Sequence, residues 1–483
     1  MRSAPHARAA LGAAAVLLAG CTLAPRYQRP PAPVAEAWEA GSTPAAAGPA
    51  AADLGWRDVF GDERLRALVA LALENNRDLR VAALNVELAR AQHRIQRAEL
   101  LPAVGASASV TRQHLGEDLS PTGEAQTTTG YTVGVGVAAF ELDLFGRVRS
   151  LSAAALERYL ATEEARRAAH LSLVAEVATQ YLSARALDDQ VALARQTLET
   201  VESALALTRR TFEAGKTSEL DLRIAEAQVQ TSRFNLSRAL LLRAQAQNAL
   251  VLLVGEALPA ELPPPQPLET QALLAELPPG VPSEVLRRRP DILAAEHALR
   301  SANASIGAAR AAFFPSISLT AFGGTSSPEL SGLFGAGATT WSFTPRVNLP
   351  LFTGGALRAS LDVAHLRKSI EVAQYERAIQ GAFREVADAL VARAALDEQL
   401  EAQRARTEAE QRRYDLSELR YRKGVDSYLG VLDAQRELFA ARQLLIQSRL
   451  ARLVNLVDLY RALGGGWRER SAPSGGETAT SGT

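Results

Sequence analysis

The residues best suited to catalysis are few and lie far apart in the sequence. The chain has six histidines and one cysteine in 483 residues. None of them belongs to an HExxH, CxxC or GxSxG motif, the patterns that fix a zinc ion or a nucleophile. The histidines fall in the N-terminal leader, near a predicted hairpin tip and on different predicted helices: His6, His114, His93, His170, His297 and His365. The sequence therefore predicts no enzyme, no metal site and no cofactor.

One glycine-rich stretch fits a cofactor motif, but in the wrong setting. Gly134, Gly136 and Ala139 match a loose GxGxxA dinucleotide pattern. That pattern binds phosphates only where it ends a strand and opens a helix, because the helix N-terminus receives the charge. Here it lies inside a stretch that alternates apolar and small residues. We expect this stretch to be a strand that binds no cofactor.

The N-terminus predicts a different chemistry, the attachment of lipid to Cys21. Arg2 and Arg8 flank the start of the chain, and an apolar run at 9–19 leads to Gly20 and Cys21, as in an export signal. The letters LLAGC resemble a bacterial lipoprotein signal, in which cleavage leaves the cysteine first and its sulfur carries a lipid. A plain secretory signal with an incidental cysteine is the alternative. A single cysteine excludes an internal disulfide.

The composition fits a folded protein without affinity for nucleic acid. Apolar residues make up 47% of the chain, and 53 basic residues balance 53 acidic ones. A balanced chain lacks the basic footprint that attracts a phosphate backbone. No stretch reaches the about 20 apolar residues that a membrane helix needs. If the mature protein enters a bilayer, it must do so as strands.

The chain is an internal duplication. The glycine of the turn EAGKTSELDL, Gly215, recurs 209 residues later as Gly424 in YRKGVDSYLG, with matching serine, leucine and aromatic positions. Similar matches define a first repeat at 61–255 and a second at 281–466. Between them, residues 256–280 are too rich in proline for a helix and predict an extended linker.

Each repeat predicts one very long helix and one shorter helix. Residues about 147–214 contain no proline or glycine, and residues about 356–423 contain only Gly381; both are dominated by strong helix formers. At 1.5 Å per residue, each would extend about 100 Å, far beyond a globular helix. Shorter helices follow at about 217–254 and 427–463. We expect a coiled-coil-like assembly of these helices.

Four short segments alternate apolar with small or polar residues and predict strands. They lie at about 103–113, 129–143, 316–324 and 339–351. Their length of about ten residues and their two unlike faces are typical of tilted transmembrane strands. From the pattern alone, a soluble sheet packed against helices is the alternative.

Four strands cannot close a membrane barrel, which needs at least about eight. Open strand edges are too costly in lipid, so several chains must pool their strands. The pattern thus predicts an obligate homo-oligomer. Three chains would supply twelve strands, and two would supply eight.

Six motifs together resemble the TolC/OprM-type outer-membrane efflux factors, in their lipoprotein branch. They are LLAGC, ELDLFGRVRS, RRRPDILAAEHALR, ARAAFFPSISL, the RYRKGVDSYLGVLDAQREL turn and the closing LYRALGGGW, and they cover essentially the whole mature chain. The resemblance implies a mainly helical, duplicated chain that forms a homotrimer. Its twelve-stranded outer-membrane barrel, four strands per chain, continues as a periplasmic helical barrel with a mixed equatorial domain.

The same resemblance implies the function of a passive exit duct in a tripartite efflux system. A periplasmic adaptor, also called a membrane fusion protein, would link the duct to an inner-membrane transporter. The protein would lie in the outer membrane of a Gram-negative bacterium, in contact with lipid and anchored by Cys21. Such a duct needs no cofactor, and its substrate is not written in the sequence.

By resemblance, the repeated turns close the periplasmic end of the pore. Leu429 matches an apolar constriction, Asp433 a gate aspartate and Arg436 its basic partner, while Asp221 matches a carboxylate of the first repeat. An ordinary i,i+3 ion pair on a solvated helix face is the alternative for Asp433 and Arg436. The chain departs from another branch at its Gly430 and Asp426 positions, which leaves the bonding pattern of the gate open.

The remaining segments complete the predicted domain plan. Residues 1–20 form the signal peptide, 21–60 an extended N-terminal segment, and 467–483 a disordered tail. The main functional alternative is a periplasmic coiled-coil adaptor or scaffold lipoprotein without a pore. An exported enzyme or solute-binding lipoprotein is a further alternative, which would need a compact two-lobed pattern with convergent polar residues.

Overall fold

The computed structural model describes residues 22–35, 51–121, 123–271 and 288–471. The predicted signal peptide and Cys21 lie outside these ranges. In the described part of the chain the elements are, in order, α1 Trp56–Val59, α2 Glu63–Asn75, α3 Arg77–Ala98, β1 Val104–Leu115, β2 Gln126–Leu142, α4 Arg147–Glu213, α5 Glu219–Val254, α6 Pro290–Ala311, β3 Ser316–Ser327, β4 Thr339–Asn348, α7 Ala356–Arg422 and α8 Tyr428–Ala462.

Contacts divide the chain into two compact units. Among the described residues, the strand unit comprises those within 22–31, 85–163 and 294–375. The hairpin unit comprises the described residues within 32–84, 164–293 and 376–471. Each unit draws segments from both sequence repeats, because every repeat contributes two strands to one unit and a helical hairpin to the other.

The strand unit contains one four-stranded antiparallel sheet in the order β1-β2-β3-β4. Short connections join β1 to β2 and β3 to β4, whereas β2 and β3 come from different repeats. The alternating pattern continues through the pairing, since Val104 faces Val137 on β2 and Ile317 faces Val347 on β4. Residues paired across antiparallel strands lie on the same face of a sheet.

A β-bulge in β2 keeps its apolar residues on one face although their spacing changes. Val137 pairs with Ala321, and Phe140 pairs with Leu319, two residues earlier on β3. The extra residue falls at Ala139, whose φ of 49° lies in the left-handed region. A bulge inserts one residue and thereby shifts the alternation. Phe140 therefore continues the face of Val137 instead of turning to the opposite one.

The motif ELDLFGRVRS forms the connection from β2 to α4. Asp143 accepts hydrogen bonds from two backbone N–H groups of the first helical turn, those of Val148 (3.0 Å) and Arg149 (2.8 Å). Its carboxylate also bonds the Arg149 guanidinium, and Glu141 forms a two-pronged pair with Arg147 at 2.6 and 2.8 Å. These ionic contacts fix the start of a helix of 67 residues.

The hairpin unit repeats its internal bonds as well as its elements. Asp188 bonds Arg243 between the first pair of helices, and Asp397 bonds Arg452 between the second, both at 2.5 Å. The two aspartates are 209 residues apart in the sequence, and so are the two arginines. The duplicated helices, α4 with α5 and α7 with α8, are therefore held by equivalent contacts.

The RRRPD motif joins the second helical hairpin to the start of α6. Arg289 donates to Glu385 on α7 at 2.9 Å and to the Ala462 carbonyl of α8 at 2.9 Å, and it also bonds Asp291. In the first repeat, Asn76 donates to the Leu253 carbonyl at 2.8 Å. Both side chains satisfy a carbonyl of the last helical turn, which has no partner within its own helix.

The N-terminal segment 21–60, which the sequence predicts to be extended, is folded in its last ten residues. This part of the prediction is wrong. Residues Ala51–Asp53 form a 3₁₀ turn and α1 follows, because Trp56 and Phe60 are almost fully buried there. Phe60 meets the ring of Tyr460 edge to face at 6.2 Å. Burial of these large aromatic side chains favours folded over extended backbone.

The expected disordered tail is also partly ordered. The backbone N–H groups of Trp56 and Arg57 donate to the carbonyls of Arg468 (3.0 Å) and Glu469 (3.1 Å), and the Ser471 N–H donates to the Asp58 carboxylate at 2.7 Å. These bonds hold residues 467–471 beside α1. Residues 472–483 of the predicted tail lie outside the described ranges.

Candidate functional site

One face of the sheet is mainly apolar from β1 to β4. It also carries the polar residues Arg112, His114, Thr127, Thr129, Thr325, Ser327 and Thr339. Trp341 is 77% exposed, Val104 72% and Val347 64%, so these side chains have little cover within the chain. An exposed apolar surface of this extent marks contact with a membrane or another protein. The cross-strand pairs place the following residues on it: Val104, Ala106, Ala108, Val110, Tyr131, Val133, Val135, Val137, Phe140, Leu142, Ile317, Leu319, Ala321, Trp341, Phe343, Pro345 and Val347.

The opposite face is polar or small. It carries mainly glycine, serine and threonine, and Arg346 and Asn348 at the end of β4. Phe322 is the aromatic exception among these strand residues, and its ring covers β2: a Cβ at Gly134 would lie 2.5 Å from it. The glycine pattern that resembled a dinucleotide motif thus lies inside a strand, where an aromatic ring takes the place of side chains.

Both outer strands of the sheet keep one edge without a partner in the described part of the chain. β1 pairs only with β2, and β4 pairs only with β3. Each free edge presents unpaired backbone N–H and C=O groups over a strand of ten or more residues. The described residues supply no further strand that could satisfy these groups.

The two turns that connect paired helices, α4 to α5 and α7 to α8, have the same backbone conformation. In the first, Lys216 N–H donates to the Thr211 carbonyl at 2.8 Å, and Gly215 adopts φ 68°. In the second, Val425 N–H donates to the Arg420 carbonyl at 3.0 Å, and Gly424 has φ 70°. Both are helix C-caps in which a left-handed glycine reverses the chain, a conformation that other residues rarely adopt.

Asp221 belongs to the cap of α5. Its backbone N–H donates to the Ser218 hydroxyl at 3.2 Å, and that hydroxyl donates to the Asp221 carboxylate at 2.6 Å. The carboxylate also accepts from the Ser218 N–H at 3.4 Å, which completes a capping box. A capping box satisfies two free donors of the first turn. The structure therefore gives Asp221 a local role in starting the helix.

The second turn lacks that capping box. Ser427 occupies the N-cap of α8, but its side chain makes no capping bond, and Gly430 stands where the first repeat has Asp221. Instead, Asp426 pairs with Arg420 across the turn at 2.5 Å. The hydrogen bond from Arg420 lowers the pKa of the Asp426 carboxyl below its usual value. The second turn is thus held by an exposed ion pair and its helix start is less well capped.

Asp433 bonds two arginines of its own chain. One oxygen accepts from Arg436 at 2.8 Å, one turn along α8, and the other accepts from Arg413 on α7. All three side chains are between 43% and 70% exposed. In the first repeat, Ala204 and Ile224 occupy the positions of Arg413 and Asp433, so this pair exists only in the second hairpin.

Leu429 lies in the first turn of α8 and is 62% exposed. Leu220 of the first turn and Val425 of the second are exposed to a similar degree. In the second turn, the rings of Tyr421 and Tyr428 lie 5.2 Å apart, and burial raises the pKa of Tyr428 to about 12. The turns therefore combine ion pairs with uncovered apolar side chains, a mixture that suits contact with other subunits or proteins.

The sequence did not identify Arg413 or Arg420 as partners of the turn carboxylates. A signal was available, since the helical hairpins of the two repeats align at a spacing of 209 residues and both members of the Arg413–Asp433 pair are absent from the first copy. Among the described residues, no group of three or more histidine, cysteine, aspartate or glutamate side chains could hold a metal ion. None of the helices in the described ranges is long and apolar enough to cross a membrane.

The Outer membrane efflux protein family model matches residues 68–256 and 281–465, one match in each repeat, and the chain belongs to this family. The predicted family is confirmed, and so is the fold class of a duplicated, mainly helical chain with four strands. The chain is an outer-membrane efflux protein. Its family is not that of the periplasmic adaptors, the main alternative considered from the sequence.

Two relatives from Pseudomonas putida are named Toluene efflux pump outer membrane protein TtgC and Antibiotic efflux pump outer membrane protein ArpC. Each is 50% identical over 464 residues, which are 95% of this chain and 96% of the relative. Among solved structures, the open state of the Neisseria gonorrhoeae MtrE outer membrane channel has a TM-score of 0.86 and 43% identity. The match covers 94% of this chain and 100% of the MtrE chain.

Proposed function

We propose that three copies of this chain form the exit duct of a tripartite efflux system. Each copy contributes its four strands to a twelve-stranded barrel in the outer membrane. The observation that carries the proposal is the sheet itself, with one exposed apolar face, one polar face and two free edges. Lipid satisfies the apolar face, water the polar face, and only ring closure with other copies satisfies the edges.

The duct conducts passively from a periplasmic adaptor and an inner-membrane transporter to the outside. The exposed apolar side chains Leu220 and Val425 of the turns are the proposed contact points for the adaptor. Their exposure in the chain is consistent with cover by another protein. The names of relatives that export toluene or antibiotics favour small organic compounds as substrates here, selected by the transporter.

The proposed gate lies at the second turn. Leu429 supplies an apolar constriction, and Asp433 holds α8 to α7 through Arg413 while Arg436 shares its charge. Because two guanidinium groups accompany each carboxylate, a ring of three such sites carries both charges and is not purely acidic. α8 also starts without a capping box, which lowers the cost of moving its first turn. Asp221 supports the gate by fixing the neighbouring first turn.

Cys21 is proposed as the lipid attachment site and as an anchor that the pore does not require. The sequence signal supports this assignment. A Cys21→Ser variant with a cleavable signal should still form trimers that migrate as a heat-sensitive species. Failure of this variant to form trimers would overturn the anchor-only role.

The channel proposal is tested by reconstituting the membrane-extracted protein in planar bilayers. We expect oligomers that dissociate on boiling and that conduct ions in discrete steps. A monomer without conductance, obtained from native outer membranes, would refute the duct. Deletion in a host with this pump should also raise its susceptibility to toluene or antibiotics, and complementation should restore resistance.

A further inference from the structure

The closing motif LYRALGGGW carries the chain from the end of α8 to Trp467 and Arg468. Its second glycine, Gly465, leaves room for the Tyr460 ring, because a Cβ there would lie 2.1 Å from that ring. The next glycine, Gly466, has φ 110°, a conformation that other residues rarely adopt. The two glycines thus fix the course of the chain just before Trp467 and Arg468, which are both half-buried.

These two side chains line a pocket of about 370 Å³ in the hairpin unit. Pockets of small-molecule sites have volumes of about 300–1,000 Å³, so this one has room for a compact ligand. The charged side chains that line it, besides Arg468, are Asp53 before α1, Glu164 and Arg167 on α4, and Arg288 two residues before α6.

The pocket carries more positive than negative charge. Arg288 pairs with Asp53 at 2.5 Å, and Arg468 lies 3.4 Å from the same carboxylate, so one acid serves two guanidinium groups. Arg167 pairs with Glu164 at 2.5 Å. Three arginines thus accompany two carboxylates, which leaves one positive charge in excess. The arginine side chains are between 33% and 41% exposed, so an anion from solution can reach them.

Arg468 also retains a hydrogen-bond donor for an incoming acceptor. Its Nε is buried and bonds no described residue, whereas buried donors in folded proteins are nearly always bonded. The Arg468 guanidinium lies over the Trp467 ring at 4.8 Å, and that of Arg167 lies 5.8 Å from the same ring. An aromatic face attracts cations without accepting an ordinary hydrogen bond. The ring therefore orients two of the arginines and leaves the Arg468 donor for a ligand oxygen.

The pocket departs from the internal duplication of the chain. Both helical hairpins have the same elements and equivalent bonds, yet their sequences differ at the pocket. At a spacing of 209 residues, the positions equivalent to Trp467, Arg468 and Arg167 carry Leu258, Pro259 and Glu376. The aromatic ring and the two arginines are therefore not required by the hairpin fold. Their presence in one place favours a binding role.

The arrangement of the arginines indicates the chemistry of the ligand. A guanidinium forms paired hydrogen bonds with a carboxylate or a phosphate. The two oxygens of a carboxylate lie in one plane, so a single arginine can bind both. Arg167, Arg288 and Arg468 come from three separate segments of the chain. Such a set matches a phosphate better, because the oxygens of a phosphate point in several directions.

We propose that this pocket binds a small phosphate compound, either free phosphate or a phosphate monoester, through Arg167, Arg288 and Arg468. The bound phosphate would join α4, the segment before α6 and the segment after α8. A ligand that binds only the folded state stabilises it, so the hairpin unit should unfold at a higher temperature when the pocket is filled. The inference goes beyond the duct and does not depend on the barrel, because every residue that lines the pocket belongs to the hairpin unit.

Equilibrium dialysis of the detergent-solubilised full chain measures this binding directly. Radiolabelled inorganic phosphate and glycerol 3-phosphate are the two probes. Sodium chloride holds the ionic strength constant, because salt screens these charges. We expect saturable binding of one phosphate group per chain. Tighter binding of glycerol 3-phosphate would assign the site to a monoester, and equal binding would assign it to free phosphate. No saturable binding of either probe would overturn the proposal.

Arg468→Met removes the buried donor while it keeps the apolar part of the side chain. We expect phosphate to bind about ten-fold more weakly, because charge-assisted hydrogen bonds are lost. Arg384→Met is the matched control, since that side chain is 79% exposed and lies 3.8 Å from Asp388. The control removes the same charge and should bind phosphate as the unaltered protein does. Equal weakening in the two variants would indicate a general charge effect and contradict the site.

Asp53→Asn separates a binding role from a purely structural one. The Asp53 carboxylate competes with the ligand for Arg288 and Arg468. Its neutralisation should strengthen phosphate binding about three-fold, the effect of one partly exposed charge pair. Circular dichroism would show whether each variant is folded, and phosphate should raise the unfolding midpoint more in Asp53→Asn than in Arg468→Met. If the arginines served only to pair with Asp53, the substitution would lower stability without any gain in phosphate affinity.

Discussion

Replacing Arg289 by methionine removes the cation that joins three elements of the hairpin unit. The guanidinium is 8% exposed and bonds Asp291, Glu385 and the Ala462 carbonyl. Breaking a buried ion pair from one side costs about 3–5 kcal/mol. The two carboxylates are 42% and 33% exposed, so water compensates part of this loss. We expect destabilisation of about 2–4 kcal/mol per chain, since methionine keeps the apolar stem in place.

The neighbouring Arg288 provides a matched control. Its pair with Asp53 joins side chains that are 41% and 32% exposed, and such pairs contribute about 0–1 kcal/mol. For a unit of this size, 1 kcal/mol corresponds to about 2 °C in the midpoint of thermal unfolding. Circular dichroism of the detergent-solubilised protein should therefore give a midpoint about 4–8 °C lower for Arg289→Met and at most about 2 °C lower for Arg288→Met. Equal shifts in the two variants would refute the reasoning from burial.

Three further predictions concern the gate, the sheet and the N-terminal segment Thr22–Arg29. Asp433→Ala and Arg413→Ala should each raise the open probability of single channels. The double variant should add little, because each of the three variants loses the same Arg413–Asp433 bond. Additive effects would exclude this pair from the gate. Phe343→Arg should reduce the amount of heat-sensitive oligomer in outer membranes, because an arginine on the lipid-facing side destabilises a barrel by about 2–4 kcal/mol near the bilayer midplane. Ser342→Arg on the polar face should be tolerated. Equal losses of oligomer in the two variants would argue against a lipid-facing side. Glu296 accepts hydrogen bonds from Tyr27 and Arg29 of the N-terminal segment. The pKa of Glu296 is lower in the folded protein than in the unfolded chain, so its carboxylate contributes stability above the unfolded pKa and loses it as the pH falls through the folded pKa. Hydrogen exchange of residues Thr22–Arg29 should therefore accelerate only below about pH 4.3. Acceleration already at pH 6 would point to another titrating group.

The sheet illustrates how much alternation alone can predict. Period two separates the apolar and polar sides of each strand, because successive side chains point to opposite faces. The pattern gave no indication of the bulge at Ala139, where the phase shifts and Phe140 rejoins the face of Val137. A bulge depends on which strand lies alongside, and β3 comes from the other repeat. Pairing across such a distance leaves no local signal.

The turns illustrate the opposite case, in which similar letters conceal different bonding. The repeated glycines predicted two equal reversals, and the two backbones agree. The replacement of Asp221 by Gly430 in the second copy was visible in the sequence, but its effect on the cap of α8 required the hydrogen bonds of both turns. The positions of Leu429, Asp433 and Arg436 in a gate remain predictions, which the conductance variants test.

The sequence by itself determined the duplication, the long helices, the four alternating strands and the family, because these depend on periodicity and on motifs that neighbours in the chain carry. The tertiary structure decided which side chains meet. Arg413 finds Asp433 only when α7 and α8 pack together, and Arg289 finds the Ala462 carbonyl, a backbone group that no residue type identifies. Hydrogen bonds depend on distances of about 3 Å. Such proximity is created by packing and cannot be read from spacing along the chain.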